Sequence, residues 1–194
     1  MLLQKDEAEK AIGINQEHMS TETDYKRKIL TFGWQELSAL WSDIQTGNTP
    51  NWEPGKALEY LILRAFQLEG AEVTYPYSVV IEGAELEQID GVVYTDGLHC
   101  LIECKDTAKR VNIEPIAKMR NQLLRRPATT IGLIFSRSRF TESAKTLAQF
   151  IPPQTILLWN GSEINTAIQQ QQMRQLLVKK YRYCVEYGMP NYGI

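Results

Sequence analysis

QIDGVVYTDGLHCLIECK, residues 88–105, reads as two strands joined by Asp96-Gly97. An Asp-Gly step between apolar, β-branched runs is the strongest short-range signal for a two-residue hairpin. The predicted strands run from Leu86 to Thr95 and from Leu98 to Lys105. With Thr95 paired to Leu98, partner numbers sum to 193, which sets Asp90 across from Glu103 and Gln88 across from Lys105. Side chains alternate along a strand, so Glu103 and Lys105 share a face about 7 Å apart. Directly opposed residues have Cβ atoms about 4.5–5.5 Å apart. Asp90 and Glu103 would repel at that separation, and carboxylate oxygens so placed invite a divalent cation such as Mg²⁺ or Mn²⁺. The neighbours Leu101, Ile102 and Cys104 predict that both faces are largely buried there, and a buried carboxylate requires a partner. The competing reading is an exposed hairpin face on which polar and apolar residues simply alternate. A structural Glu103–Lys105 pair is also open, but it leaves Asp90 unexplained.

Working outward, residues 55–68 form an amphipathic helix, with Ala57, Leu58, Leu61, Ile62, Ala65 and Phe66 on its buried side and Gly70 placed to end it. Residues 72–81 read as a strand. After the hairpin come a helix over 112–125 and a short apolar strand over 130–135, rich in β-branched residues and therefore central. A helix over 141–150, a strand over 155–159, and a helix from Ser162 through the glutamine run 169–172 complete the order. The result is an α/β fold with an α-β-β-β-α-β core, a mixed central sheet and helices on both faces. N-terminal to it lie a polar arm over 1–20 and a helix from Asp24 to Ile44. Leu30, Trp34, Leu37, Trp41 and Ile44 line one seam of that helix, either packed on the main core or contacting a second copy. The stretch TGNTPNWEPG, residues 46–55, divides an N-terminal arm and helix (1–50) from a main domain (51–194).

Composition narrows the function classes. The chain has 194 residues with 43% hydrophobic and 23% charged, ordinary globular values that allow one well-packed domain. Apolar runs are too short to span a membrane, and the charged start MLLQKDEAEK lacks the apolar stretch of a signal peptide. Cys100, Cys104 and Cys184 cannot pair evenly and show no zinc spacing, so a reduced, cytoplasmic protein is expected. Net charge is only −2, which by itself argues against nucleic acid. Its distribution argues the other way. Residues 105–145 hold ten basic and three acidic residues, a local +7, leaving −9 on the rest of the chain. Such segregation makes a basic face, or else a solvated Lys/Arg-rich surface. With His18 and His99 the only histidines, a zinc site or a Ser/Cys–His nucleophile is excluded. His99 pairs with Tyr94 by the same arithmetic and reads as structural.

Asp90, the Glu103-x-Lys105 pattern on the next strand, and a preceding helix bearing Glu59 together resemble the PD-(D/E)xK nuclease superfamily. The likeness spans about residues 55–160. Within it, IGLIFSRSRFTESAKTLAQF, residues 131–150, is most similar to the Mrr-type restriction endonuclease domains. Ile89 stands where the superfamily's name has proline, a variable position.

The resemblance implies a restriction-endonuclease-like fold and a Mg²⁺- or Mn²⁺-dependent DNA endonuclease of restriction or defence type. It implies that Asp90 and Glu103 hold the metal with the backbone carbonyl of Cys104. Lys105 would orient the attacking water or stabilise the transition-state anion. Glu59 would reach the metal directly or through water; otherwise it is a boundary glutamate facing solvent. DNA is the expected partner, met by Lys109, Arg110, Lys118, Gln122, Arg125, Arg137 and Arg139. For Gln122, on the polar face of its helix beside Lys118 and Arg125, a plain surface role stays open. For Arg137 and Arg139, after the central strand, plain surface charge stays open. A homodimer follows from the need for two active sites in double-strand cleavage. The segment before Gly55 is too short for a separate DNA-reading domain, so recognition would come from loops of the core, from a separate specificity subunit, or not at all. Two rival readings remain: an inactive nuclease-fold module that binds DNA or protein, and a structure-specific repair or junction-resolving nuclease.

Overall fold

Asp96 and Gly97 both have positive φ, 50° and 75°, the conformation of a tight hairpin turn whose twist matches its strands. That turn joins β4 (Gly91–Thr95) to β5 (Leu98–Lys105), and their register runs from Thr95↔Leu98 to Gly91↔Ile102. The computed structural model describes residues 22–150 and 153–194, and the N-terminal arm expected over 1–20 lies outside them. Residues 22–30 are helical (α1). They are followed by α2 (Trp34–Thr46), α3 (Lys56–Leu68), β1 (Glu72–Thr74), β2 (Tyr77–Ile81) and β3 (Ala84–Ile89), then β4 and β5. The chain continues through α4 (Glu114–Leu123), β6 (Thr130–Ser136), α5 (Glu142–Gln149), β7 (Ile156–Trp159), α6 (Gly161–Gln170) and α7 (Met173–Tyr187).

Among the described residues the main sheet has five strands in the order β1-β4-β5-β6-β7. β1, β4 and β5 pair antiparallel, whereas β5, β6 and β7 run parallel. This is the expected mixed α/β sheet, with β6 in its interior between β5 and β7 and buried along nearly its whole length. One face carries α2, α3, α6 and α7 over a core that includes Trp41, Phe66, Phe135 and Trp159. The other carries α4 and α5 over Ile116, Met119, Ile134 and Leu158. Lys180 of α7 is fully buried against Glu163 of α6, 2.5 Å away, and ties the last two helices together.

The structure corrects several expectations. The strand expected over 72–81 is two, because Pro76 has no N–H for a ladder and the chain changes sheet there. The strand expected over 86–95 is also broken, at Asp90, and β3 pairs with β2 in a separate two-stranded sheet. Gln88 therefore pairs with Ser78 and not with Lys105. The helix expected from Asp24 to Ile44 stops at a turn over 31–33 and restarts, with Gly33 N donating to Glu36 Oε2 at 2.9 Å. The glutamine run is interrupted at Gln171, left-handed at φ 57°, between α6 and α7. Leu37, Trp41 and Ile44 are buried in this chain's own core and Leu30 is exposed, so the stripe is core rather than a seam for a second copy.

Candidate active site

β3 hands the chain from the small sheet to the main one at Asp90, one residue before β4 starts. There the Asp90 carboxylate accepts the Cys104 N–H at 2.7 Å, extending the β4–β5 ladder by a side chain. Asp90 thus lies beside Glu103-Cys104, as the hairpin arithmetic predicts. Glu103 is only 1% exposed. Both its oxygens are taken by ammonium groups: Lys105 Nζ lies 2.6 Å from Oε1 and Lys118 Nζ 2.8 Å from Oε2. Lys105 arrives by the two-residue period of β5.

Lys118 arrives by packing. α4 sits on β6 at Gly132, where any Cβ would stand 2.5 Å from Met119 Cγ. The missing side chain lets α4 descend onto the sheet, and the neighbouring Lys118 then reaches Glu103. Glu59, in the first turn of α3, pairs with Lys56 at 2.9 Å, and Lys56 also approaches Glu22 of α1 at 3.6 Å.

Three carboxylates therefore share a buried neighbourhood, and the electrostatics follow. Burial first, then the charges of Glu59 and Glu103, push the Asp90 carboxyl up to about 7; the Cys104 N–H pulls only partly the other way. Burial likewise raises Glu59 against the pull of Lys56. For Lys105, burial disfavours the ammonium, but the hydrogen bond and charge of Glu103, with Asp90, outweigh it and hold the group above its ordinary value. Glu103 is ion-paired to two lysines and Glu59 to one, whereas Asp90 makes no ion pair among the described residues and has the Cys104 N–H and the more distant charge of Lys118. Asp90 is the least compensated charge.

The donor chemistry fits a hard divalent cation: the neighbouring carboxylates raise the proton affinity of Asp90 and Glu59, and positive charge between them would relieve this. Among the described residues, however, no three His, Cys, Asp or Glu side chains stand close enough to enclose an ion, and Glu59 and Glu103 are each engaged by lysines. Solvent reaches the site from the lysine side. A cleft of about 520 Å³ is lined by Lys105, Lys118, Arg110, Thr107, Asn112 and Glu114, among others.

Of the residues expected to meet DNA, Lys109, Arg110 and Arg139 are exposed. Arg125 is engaged with Glu87, which also holds Arg126 at 2.5 Å. Arg137 is anchored, its Nε 2.6 Å from Asp106 Oδ1 and its Nη1 donating to the Gln45 carbonyl at 3.3 Å. Gln122 is not on an exposed polar face. It is 3% exposed and donates to the Gln88 carbonyl at 3.4 Å, held inward by the approach of α4 to β3. His99 stacks edge-on with Tyr94, ring centroids 5.6 Å apart, as its pairing implies. Sequence reasoning missed Lys56, and it missed that Lys118 pairs with Glu103. The i,i+3 spacing of Lys56 and Glu59 was a usable signal; nothing local marks Lys118 as a partner of Glu103.

The mixed five-stranded sheet flanked by helices on both faces is a restriction-endonuclease-like fold, with Asp90, Glu103 and Lys105 gathered at the open end of its hairpin. The family model for the Mrr catalytic domain, described as restriction endonuclease, matches residues 52–168, and the chain belongs to that family. No curated protein sequence matches it significantly. Among solved structures it is similar to a protein of unknown function, AF1548, at 20% identity and TM-score 0.47, over 68% of this chain and 77% of that one. It is also similar to the DNA modification-dependent restriction endonuclease AspBHI, at 10% identity and TM-score 0.39, over 78% of this chain and 40% of that one. Both scores lie below 0.5, and neither likeness defines a function. Among the described residues no helix is long and apolar enough to cross a membrane.

Proposed function

We propose that the protein is a divalent-metal-dependent endonuclease that hydrolyses phosphodiester bonds in DNA, of restriction or defence type. The observation that carries this reading is the convergence of Asp90, Glu103 and Lys105 at one end of the hairpin, in a chain of the restriction endonuclease family. Asp90 and Glu103 would hold Mg²⁺ or Mn²⁺, with the Cys104 carbonyl as a further oxygen donor and Glu59 as an outer one. A metal so bound supplies an acidified water and polarises a phosphoryl oxygen. Lys105, paired with Glu103 and partly exposed to the cleft, orients the attacking water and stabilises negative charge developing on the phosphate. Lys118 shares that second task. Burial around Glu103 keeps bulk water from screening these charges. The nuclease domain is taken as residues 51–194, acting in the cytoplasm as a homodimer on duplex DNA, with recognition supplied by its loops or by a specificity subunit.

One observation favours the rival reading of an inactive binding module: both Glu103 oxygens are already occupied by lysines. Plasmid cleavage decides between them. The purified protein should nick or cut DNA with Mg²⁺ or Mn²⁺, lose this on chelation, and lose it in Asp90→Ala and Glu103→Gln. Wild-type protein that neither binds Mn²⁺ by calorimetry nor cuts DNA leaves only the fold.

A further inference from the structure

The carboxyl ends of β5, β6 and β7 open onto a second cleft, of about 680 Å³, on the side of the sheet end nearer α2 and α6. Ligands of open α/β sheets bind outside the carboxyl ends of parallel strands. Arg110, Arg137 and Arg139 line this cleft together with Gln45, Asn165 and Ser162, and among the described residues neither a carboxylate nor an aromatic ring does. Donors without acceptor charge select an anion. The absence of a ring from the lining removes the stacking surface that an unpaired base requires.

The three guanidinium groups play different parts. Arg137 is fixed in place by Asp106 and the Gln45 carbonyl, which leaves it hydrogen-bonding capacity with little side-chain freedom to lose. Arg110 and Arg139 are exposed and make no ion pair among the described residues, Arg110 acting only at longer range on Glu142. The start of α6 forms part of the wall, and it fits only because residue 161 is glycine: a Cβ there would collide with the Arg137 carbonyl. The first amides of α6 are already used, Gly161 N on Ser138 O and the amides of Ser162 and Glu163 on Asn160 Oδ1. The arginines, not the helix end, would bind the ligand.

This cleft adjoins the candidate active site. Arg110 lines both it and the cleft of Lys105 and Lys118. Arg137 N donates to the Lys105 carbonyl at 3.2 Å, so the anchored arginine is one strand away from the catalytic lysine, about 4.8 Å across the sheet. We infer that the Arg110–Arg137–Arg139 cleft binds a backbone phosphate flanking the one that is cut, and so sets the register of the DNA strand over Lys105. The inference rests on the nuclease reading for the identity of the ligand, and it assigns a separate binding site to it.

Binding and cutting are measured apart. Anisotropy of a labelled DNA duplex with the full chain in chelator gives affinity against salt, for the wild type and for Arg110→Gln/Arg139→Gln. Both substituted residues are exposed, and Arg110→Lys/Arg139→Lys keeps the charge as a control. The Gln variant should have a log–log salt slope shallower by about 0.9 per lost phosphate contact, with much of it restored in the Lys variant. In a series of duplexes each carrying one neutral methylphosphonate, one position near the scissile bond should weaken wild-type binding roughly tenfold, as for a lost charge-assisted hydrogen bond. That position should have no effect on the Gln variant. An unchanged salt slope, or equal methylphosphonate losses in both proteins at every position, overturns the assignment. So does tight binding of AMP that is lost in the Gln variant while DNA affinity stays put, which makes the cleft a nucleotide site. Wild-type protein that cuts plasmid DNA while the Gln variant binds normally removes this site alone. Methylphosphonate selectivity without any cutting removes the nuclease activity alone.

Discussion

Lys118 Nζ lies 2.8 Å from Glu103 Oε2, and Lys105 Nζ lies 2.6 Å from the other oxygen of the same carboxylate. One buried glutamate thus binds two lysines from different elements, one placed by strand period and the other by helix packing. Any cation that Glu103 binds must compete with one of them.

Lys118→Ala should therefore tighten Mn²⁺ binding by freeing a Glu103 oxygen, while lowering cleavage. Lys105→Ala frees the other Glu103 oxygen and so should also not weaken Mn²⁺ binding, yet it should lose turnover by about 10²–10³-fold, the loss typical of a group that stabilises transition-state charge. Calorimetry and a plasmid assay on both variants separate the two roles. Unchanged Mn²⁺ affinity in Lys118→Ala would remove the competition.

Gly132→Ala should reproduce part of the Lys118→Ala behaviour without touching a charged group. The added methyl meets Met119 and lifts α4, drawing Lys118 off Glu103, at a cost of about 1–3 kcal/mol in stability for an overpacked core. Chemical denaturation gives the cost and Mn²⁺ titration the coupling. A variant of wild-type stability and metal affinity would refute this account of how α4 is positioned.

Asp90 makes stability depend on pH. Its carboxyl is pushed from an ordinary 3.8 up to about 7 in the metal-free fold. Between those values the native state binds more protons than the unfolded chain, so stability falls as pH rises and the loss is complete above about 7. With chelator present, urea unfolding should show a more stable protein at pH 5 than at pH 8. Asp90→Asn should shrink that difference and stabilise the protein at pH 8, by at most a few kcal/mol on the order expected from such a shift. Divalent metal should stabilise the wild type more at pH 8 than at pH 5. If Asp90→Asn keeps the full pH dependence, the proton sits elsewhere.

Trp41→Ala should destabilise the chain by about 3–5 kcal/mol, the usual cost of emptying a buried tryptophan site, and should leave its association state unchanged. Trp41 is 1% exposed and donates to Asn165 Oδ1 at 3.1 Å, so it joins α2 to α6 within one chain. The proposed homodimer would scatter light as twice 22.2 kDa and must use another surface. A variant that stays fully stable but becomes monomeric would return the stripe to the interface.

Local chemistry determined the part of the site that lies on the hairpin. Asp96-Gly97 specifies a two-residue turn, the turn specifies the register, and the register places Asp90 beside Glu103 and Lys105 before any other contact is considered. Helix α3 and the interior strand β6 were equally legible, the first from its long apolar period and the second from an unbroken apolar, β-branched run. The break in helix 24–44 was not, since the stripe stays in phase across the turn at 31–33 and periodicity cannot register a gap that preserves it. Only the tertiary structure decided that Lys118 reaches Glu103, that Gln122 faces inward, that Arg137 is anchored while Arg139 is exposed, and that β3 leaves the main sheet. Each of these depends on how closely two elements distant in sequence approach, as α4 does over Gly132. Such distances are set by side-chain volume and packing across the whole sheet, which no local pattern of residues encodes.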